Sequence, residues 1–320
     1  MVGFISKIIS LLVAFICTVI PNVNYDVKNE DDILLNAAII SDIHIDASLP
    51  IGQMMLTAGL KDVKNNATKN DAVIIPGDLT NYGDMESVEA FYKILSKVNP
   101  AEKWIVAPGN HDIGHAEDCT NKQARKRLIE INNRYTGASN KNIYYSQVVN
   151  GYTFIVMCDE SKDNWDSCDI SDKQIKFLDE QLKKATKKSK PAFVICHWPL
   201  EYTNGQNAVY EDSAIRDETA DKIKAVLKKY KNVFFISGHM HKGISGDTFE
   251  SVFGFSSVET IKGVTYVNLP SYGIANRYGV PWNGMGMQME VYKNEVVFRP
   301  RRYLHSTWYS MIEYSVPLVK

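Results

Sequence analysis

From about residue 34 onward, short apolar runs alternate with longer amphipathic stretches. The segments LLNAAIIS (34–41), DAVIIPG (71–77), KWIVAPG (103–109), PAFVICH (191–197) and NVFFISG (232–238) are rich in aliphatic and β-branched residues, have strand length, and close on glycine, proline or a polar residue. Between them, helical periodicity covers roughly 52–69, 85–98, 121–135, 171–189 and 213–230. Asp84-Met85-Glu86 and Ser171-Asp172 supply the polar residues that suit helix starts. Strand–helix alternation predicts a mostly parallel sheet. Two further segments read as hairpins: 144–160 turns at Asn150-Gly151, and 286–303 turns at Lys293-Asn294. A second, hairpin-rich sheet packed on the first predicts a sandwich with helices outside.

No internal repeat or low-complexity linker divides residues 34–320, which read as one domain. Residues 23–33 read as a linker, and residues 1–22 as a signal peptide or N-terminal anchor. Lys7 is the only charge before residue 21, and Ile8 to Ile20 is a largely apolar run. As a helix that run measures about 20 Å, short of the roughly 30 Å hydrocarbon core. A positive start, a short apolar run and then polar chain is the order of an export signal. The expectation is an exported chain, either secreted or held at the cell envelope, with any membrane association made through this segment. No small-x-small cleavage site follows, so a cleaved signal, a retained anchor and a buried helix all fit.

Charge narrows the partners. Lys plus Arg number 36 against 37 Asp plus Glu, a net charge of −1. That balance argues against a protein that wraps a nucleic-acid polymer by bulk charge. Five cysteines with no CxxC pair exclude a disulfide scaffold, a zinc ribbon and a thioredoxin-type site. In an exported chain Cys119 and Cys168, both in polar stretches, are candidates to pair, whereas Cys158 and Cys196 lie in apolar runs and read as core.

Chemistry-bearing residues follow each of the five apolar runs. Asp42-Ile43-His44 follows the first, Gly77-Asp78-Leu79-Thr80-Asn81 closes the second, and Gly109-Asn110-His111-Asp112 closes the third. His197 ends the fourth, and Gly238-His239-Met240-His241 ends the fifth. Sites in open α/β sheets form at this carboxyl edge. Asp42, His44, Asp78, Asn110, His197, His239 and His241 are imidazole, carboxylate and amide donors that suit zinc, iron or manganese. They are too many for one tetrahedral ion and about right for two sharing a carboxylate. Asp42/His44 and His239/His241, each separated by one residue, point to one side if the chain there is extended. Any one block has a bland reading as satisfied structural residues, but five of the seven histidines fall in these blocks. The remaining two, His115 and His305, read as surface or supporting residues.

The blocks SDIHID, PGDLTN, PGNHD, CHW and GHMH, in this order, resemble the calcineurin-like metallophosphoesterases over about residues 35–270. The resemblance implies a four-layer α/β/β/α sandwich, two mixed β-sheets flanked by helices, and phosphoester hydrolysis by a hydroxide bridging two divalent transition-metal ions. By motif, Asp42, His44 and His241 would hold one ion and Asn110, His197 and His239 the other, with Asp78 bridging. His111 would stand beside the ions unligated and either donate a proton to the leaving oxygen or hydrogen-bond a non-bridging oxygen. Asp112 would orient it or a ligand.

In purple acid phosphatases a tyrosine lies three residues beyond the bridging aspartate. Asn81 occupies that place here, and His44 is a donor those enzymes lack. The DLTN run and the DxH start resemble the bacterial class III cyclic-nucleotide and glycerophosphodiester phosphodiesterases, although CHWPL departs from the usual His-His-Pro. The expected substrate is a small phosphodiester, with a phosphomonoester or nucleotide as the alternative for the same ligands. Asn81 and Arg277 are candidate phosphate contacts, Arg277 equally a surface salt bridge, and Trp165, Trp198 and Tyr202 are candidate ring-stacking residues in segments (113–143, 159–170, 199–216) expected over the metals, with a loop-packing Trp198 and an incidental Trp165 the favoured reading. Arg299, Arg301 and Arg302 read as a solvated strand edge. A catalytically silent binding protein of the same fold would have no chemical need for every ligand together with His111.

Overall fold

The computed structural model describes residues 30–67, 69–116, 118–162, 168–187, 189–209, 213–242, 255–273, 284–309 and 312–320. The N-terminal apolar segment, Trp165 and Arg277 lie outside them. Among the described residues, no helix is long and apolar enough to cross a membrane.

The apolar runs form strands and the periodic stretches form helices. The first sheet contains β1 (Leu35–Ile39), β2 (Ala72–Pro76), β3 (Lys103–Ala107), β10 (Met285–Val291), β11 (Glu295–Arg302), β12 (Thr307–Trp308) and β13 (Tyr314–Pro317). Its order is β12-β11-β10-β1-β2-β3, with β13 also paired to β11. The second contains β4 (Tyr145–Val149), β5 (Tyr152–Val156), β6 (Ala192–Ile195), β7 (Val233–Ser237), β8 (Val258–Ile261) and β9 (Val264–Asn268), in order β4-β5-β6-β7-β9-β8. Both sheets are mixed, so the mostly parallel sheet read from the alternation holds only for β1-β2-β3 and β5-β6-β7-β9. β10 lies antiparallel to β1, with Ile39 opposite Met287. The chain order of strands and helices does not encode this C-terminal return.

Helices cover the outer faces: α1 (Pro50–Asn65), α2 (Met85–Val98), α3 (Asn110–Ile113), α4 (Asn121–Thr136), α5 (Asp172–Ala185), α6 (Gln206–Val209) and α7 (Asp217–Leu227). The period-2 alternation of the strands sorts side chains into layers. Ile39, Ile74, Phe193 and Phe234 point between the sheets, Val73 and Ile75 toward Leu56, Phe91 and Leu128, and Val194 and Phe235 toward Leu178 and Ile223. The result is the expected α/β/β/α sandwich. Helix starts follow the sequence signals: Asp84 accepts from the Ser87 amide at 2.8 Å, and Ser171 Oγ from the Gln174 amide at 3.3 Å. Asn150 and Gly151 both have positive φ, 49° and 76°, as a tight hairpin turn requires.

Three expectations are corrected. Residues 213–230 are helical only over Asp217–Leu227, because Ile215 bridges Leu200 and Ser213 turns inward. Arg299 and Arg301 are not a solvated edge. β11 lies inside the sheet, Arg299 is buried between Glu290 and Glu313, and Arg301 is buried against Asp62 and over the Trp308 ring. Cys168 does not pair with Cys119. It is buried with Cys196 in the layer beneath α5 and α7, and Cys119, Cys158, Cys168 and Cys196 are all free thiols.

Candidate metal centre

The carboxyl ends of β1, β2, β3, β6 and β7 carry the seven candidate donors to one place between the sheets. The Asp42 amide donates to the Gly77 carbonyl at 3.1 Å, and the Ile43 and His44 amides to the Asp78 carbonyl at 2.8 and 3.0 Å, stitching the first two loops together. The chain here is not extended. Asp42, His44, Asp78, His239 and His241 all take left-handed backbone, with φ of 55°, 52°, 49°, 68° and 51°. Such conformations cost on the order of 1–3 kcal/mol each for a non-glycine residue and persist where the surroundings over-determine them. Gly109 and Gly238 permit the close approach: a Cβ on the first would fall on the Asp78 carboxylate, and on the second on Asp42.

Two donor clusters result. One joins Asp42, His44, Asp78 and His241, the other Asp78, His197 and His239, and within each the donor atoms lie within 4.8 Å of one another. Asp78 belongs to both. In the first, His44 Nε2 lies 3.2 Å from His241 Nε2 and 3.6 Å from Asp78 Oδ2, and His241 Nε2 lies 3.1 Å from Asp42 Oδ1. In the second, His197 Nε2 lies 3.2 Å from Asp78 Oδ2 and 3.1 Å from His239 Nδ1. Asn110 Oδ1 sits 3.0 Å from each of those two nitrogens. Ring nitrogens that face each other at such distances need a cation or a proton between them.

The electrostatics agree. Asp42, Asp78 and His197 are buried, and a buried charge is tolerated only when paired. Burial opposes the Asp78 charge, but His197, then His111 and His44, hold its carboxyl well below the usual range. Burial also opposes the Asp42 charge, and His241 beside it outweighs that. His197 sits at about 10, because Asp78 and then Asp42 overcome the burial that opposes its charge. His241 is raised against burial by Asp42. Burial drives His44 and His239 down to about 3, so both rings are neutral at pH 7. Protons thus balance the carboxylates where divalent ions can. Mixed imidazole and oxygen donors fit zinc, iron or manganese.

Surrounding groups aim these donors. His197 Nδ1–H donates to the Pro76 carbonyl at 2.8 Å, and His239 Nε2 meets Ser213 Oγ at 2.5 Å. The His239 amide donates to Asp42 Oδ1 at 3.0 Å. The buried Asp112 carboxylate accepts from the amides of Gly109, Leu79 and Thr80 and from Thr80 Oγ1, at 2.8, 3.1, 2.9 and 2.9 Å. It clamps the Asp78 loop to the Asn110 loop. Burial and then Asp78 push its pKa up to about 6 against those bonds. His111 donates its amide to Asp78 Oδ1 at 3.0 Å and its Nδ1–H to the Asn81 carbonyl at 2.7 Å. Asn81 therefore meets His111 through its backbone oxygen.

Trp198 is fully buried and packs edge-on against His197 at 5.2 Å, so it has the packing role, shelters a donor and cannot stack on a ligand. Tyr202 is exposed, with Lys224 Nζ 5.7 Å from its ring centre. Within residues 113–143, the helix read over 121–135 forms as α4 (Asn121–Thr136). Ser213 and Asn268 escape the sequence reading. Asn268 Nδ2 donates to the Gly238 carbonyl at 2.7 Å and fixes the turn that carries His239. Its signal was present, because the apolar run VTYVN ends on a polar residue as the five motif strands do. Ser213 belongs to no such pattern.

A family model described as calcineurin-like phosphoesterase matches residues 35–243. Sequence comparison with curated proteins gives no match. Among solved structures, a dimetal phosphatase from Danio rerio is similar with a TM-score of 0.63 at 13% identity, covering 90% of this chain and 100% of that one. The purple acid phosphatase PPD1 from yellow lupin (Lupinus luteus) is similar with a TM-score of 0.58 at 14% identity, covering 88% of this chain and 53% of that one. At these identities the likeness is one of fold.

Proposed function

The chain belongs to the calcineurin-like phosphoesterase family and is a metal-dependent phosphoric ester hydrolase, and from that premise we propose that it cleaves phosphodiester bonds of small substrates, cyclic nucleotides among them. The carrying observation is that Asp78 stands in both donor clusters while the His111 amide donates to Asp78 Oδ1. In this reading Asp42, His44 and His241 would hold one divalent ion and Asn110, His197 and His239 the other, with Asp78 shared between them. Two ions so held would supply Lewis acidity toward phosphoryl oxygens and lower the pKa of a water.

The chain's own residues do the rest. Asp112 keeps the two loops at fixed spacing, and the hydrogen bonds of His197 and His239 to Pro76 and Ser213 keep those rings turned inward. His111 has committed Nδ1–H to Asn81, so the Nε2–H of its imidazolium form is the group that hands a proton to the leaving oxygen, leaving a neutral ring still bonded to Asn81. The DLTN and DxH motifs support a diester substrate over the phosphomonoester or nucleotide that the same donors would serve. Near-neutral charge supports a small substrate over a polymer. Export, with or without membrane attachment, rests on residues 1–20. N-terminal sequencing of protein recovered from medium and membrane fractions tests it, and an intact Met1 confined to the cytosol overturns it.

The activity test is a panel of 2′,3′- and 3′,5′-cyclic nucleotides, glycerophosphodiesters and nucleoside monophosphates, on protein reconstituted with manganese, iron or zinc. Diester hydrolysis is the expected result. Turnover of monoesters alone would replace the diester reading with a phosphomonoesterase.

A further inference from the structure

His115 belongs to none of the motifs, yet its ring lies flat against His111, with centroids 4.1 Å apart and planes 12° from parallel. A second ring contact on His111 comes from His44, which meets it edge-on at 4.6 Å and 83°. A single hydrogen bond, Nδ1–H to the Asn81 carbonyl at 2.7 Å, fixes where that edge of the imidazole sits. It leaves the ring free to tip about the N–H···O axis. A flat partner on one face removes that freedom, and the perpendicular His44 ring is a second contact that limits the swing. His111 is only partly buried, so bulk packing does not hold it. The short helix α3 ends at Ile113, but Gly114 keeps right-handed helical backbone (φ −83°, ψ −18°) with its amide bonded to the Asn110 carbonyl, so His115 lies one turn beyond His111 on the same face.

We propose that His115 is a positioning residue: its stacked ring locks the His111 imidazole so that Nε2 stays aimed at the leaving oxygen. This deepens the phosphoesterase reading and rests on it. Proton transfer is sensitive to placement, because the donor must stay within hydrogen-bond reach of the atom it serves. The flat face is what matters, so another aromatic ring serves in place of imidazole.

The test uses the zinc-loaded full chain with His115→Ala and His115→Phe. In the nitrogen-edited proton spectrum, the hydrogen-bonded Nδ1–H of His111 should give a slowly exchanging downfield signal in the parent and in H115F. In H115A it should broaden away while zinc content stays the same. Kinetically, H115A should lower kcat about tenfold for esters with alkyl leaving groups and less than about threefold for a p-nitrophenyl ester, which needs little acid assistance. KM should not move, and H115F should restore most of kcat. An unchanged His111 signal in H115A overturns the proposal, as does a kcat loss equal for both leaving groups, a rise in KM, or a loss of zinc. A parent protein inert toward every ester would strike the phosphoesterase reading, and the spectrum would still decide whether His115 holds His111.

Discussion

The two donor clusters share Asp78 but hold their imidazoles differently. In the second, both rings are tied from behind, His197 to the Pro76 carbonyl and His239 to Ser213. In the first, His44 Nδ1 is buried with no hydrogen-bond partner among the described residues, and His241 keeps 17% of its side-chain surface exposed. A ligand whose remote nitrogen is hydrogen-bonded is fixed in tautomer and orientation and is a better base. The second cluster is therefore the preorganised one, and the first is the one open toward solvent. One carboxylate serves both, so the asymmetry lies in the outer contacts and not in the donors themselves.

The largest expected effect tests the shared element. Asp78→Ala should remove both ions and all measurable turnover. It also strips the partner from the buried His197, a change that typically costs about 3–5 kcal/mol. Elemental analysis and thermal melting check both parts, and a variant that keeps two ions per chain would break the bridging assignment.

The next prediction concerns the difference itself. Ser213→Ala should weaken one of the two ions by about 10–100-fold and leave the other unchanged, as loss of an outer-shell partner does. Stepwise metal titration followed by calorimetry separates the two. Equal weakening of both ions would remove the distinction between the clusters.

Proton linkage gives a third, smaller effect in the metal-free protein. His44 and His239 have folded pKa values near 3 against an ordinary 6.5, so their contribution to stability is complete above 6.5 and is lost as pH falls toward 3. His197 has a folded value near 10 against 6.5, so its contribution is complete below 6.5 and is lost as pH rises toward 10. The melting temperature of metal-free protein should therefore peak near neutrality and fall on both sides. Saturating zinc should flatten the alkaline limb, because the ion takes the place of the His197 proton. A metal-free melting temperature that stays level from about pH 5 to 9 would contradict this balance.

The smallest effect sharpens the role of one loop. Asn81 meets His111 through its carbonyl, so Asn81→Ala should change kcat by less than about threefold, far below the 10²–10⁴ associated with a proton donor. A loss of that larger size would mean that the Asn81 side chain touches substrate.

Much of this was legible from the chain. A strand rich in aliphatic residues that ends abruptly in Asp-x-His or Gly-Asn-His-Asp marks a carboxyl edge, and five such edges point to one cleft. The supporting residues were less legible, for reasons particular to each. Ser213 reaches His239 only because residues 213–216 leave the helical path and bridge back to Leu200. His115 reads as a surface or supporting residue, and its four-residue spacing from His111 brings the rings together only because α3 and Gly114 make that stretch helical. Arg299 and Arg301 were misread because their strand is polar in composition, whereas its neighbours β10, β12 and β13 place it inside the sheet, with carboxylates waiting.

The sequence by itself determined the family, the seven candidate donors and the alternation of strands and helices, because those follow from residue type and local period. Tertiary structure alone decided which donors share a cluster, which of them are turned by left-handed backbone, and which rings are braced from behind. Those outcomes depend on distances between segments far apart in the chain, and a linear pattern does not record them.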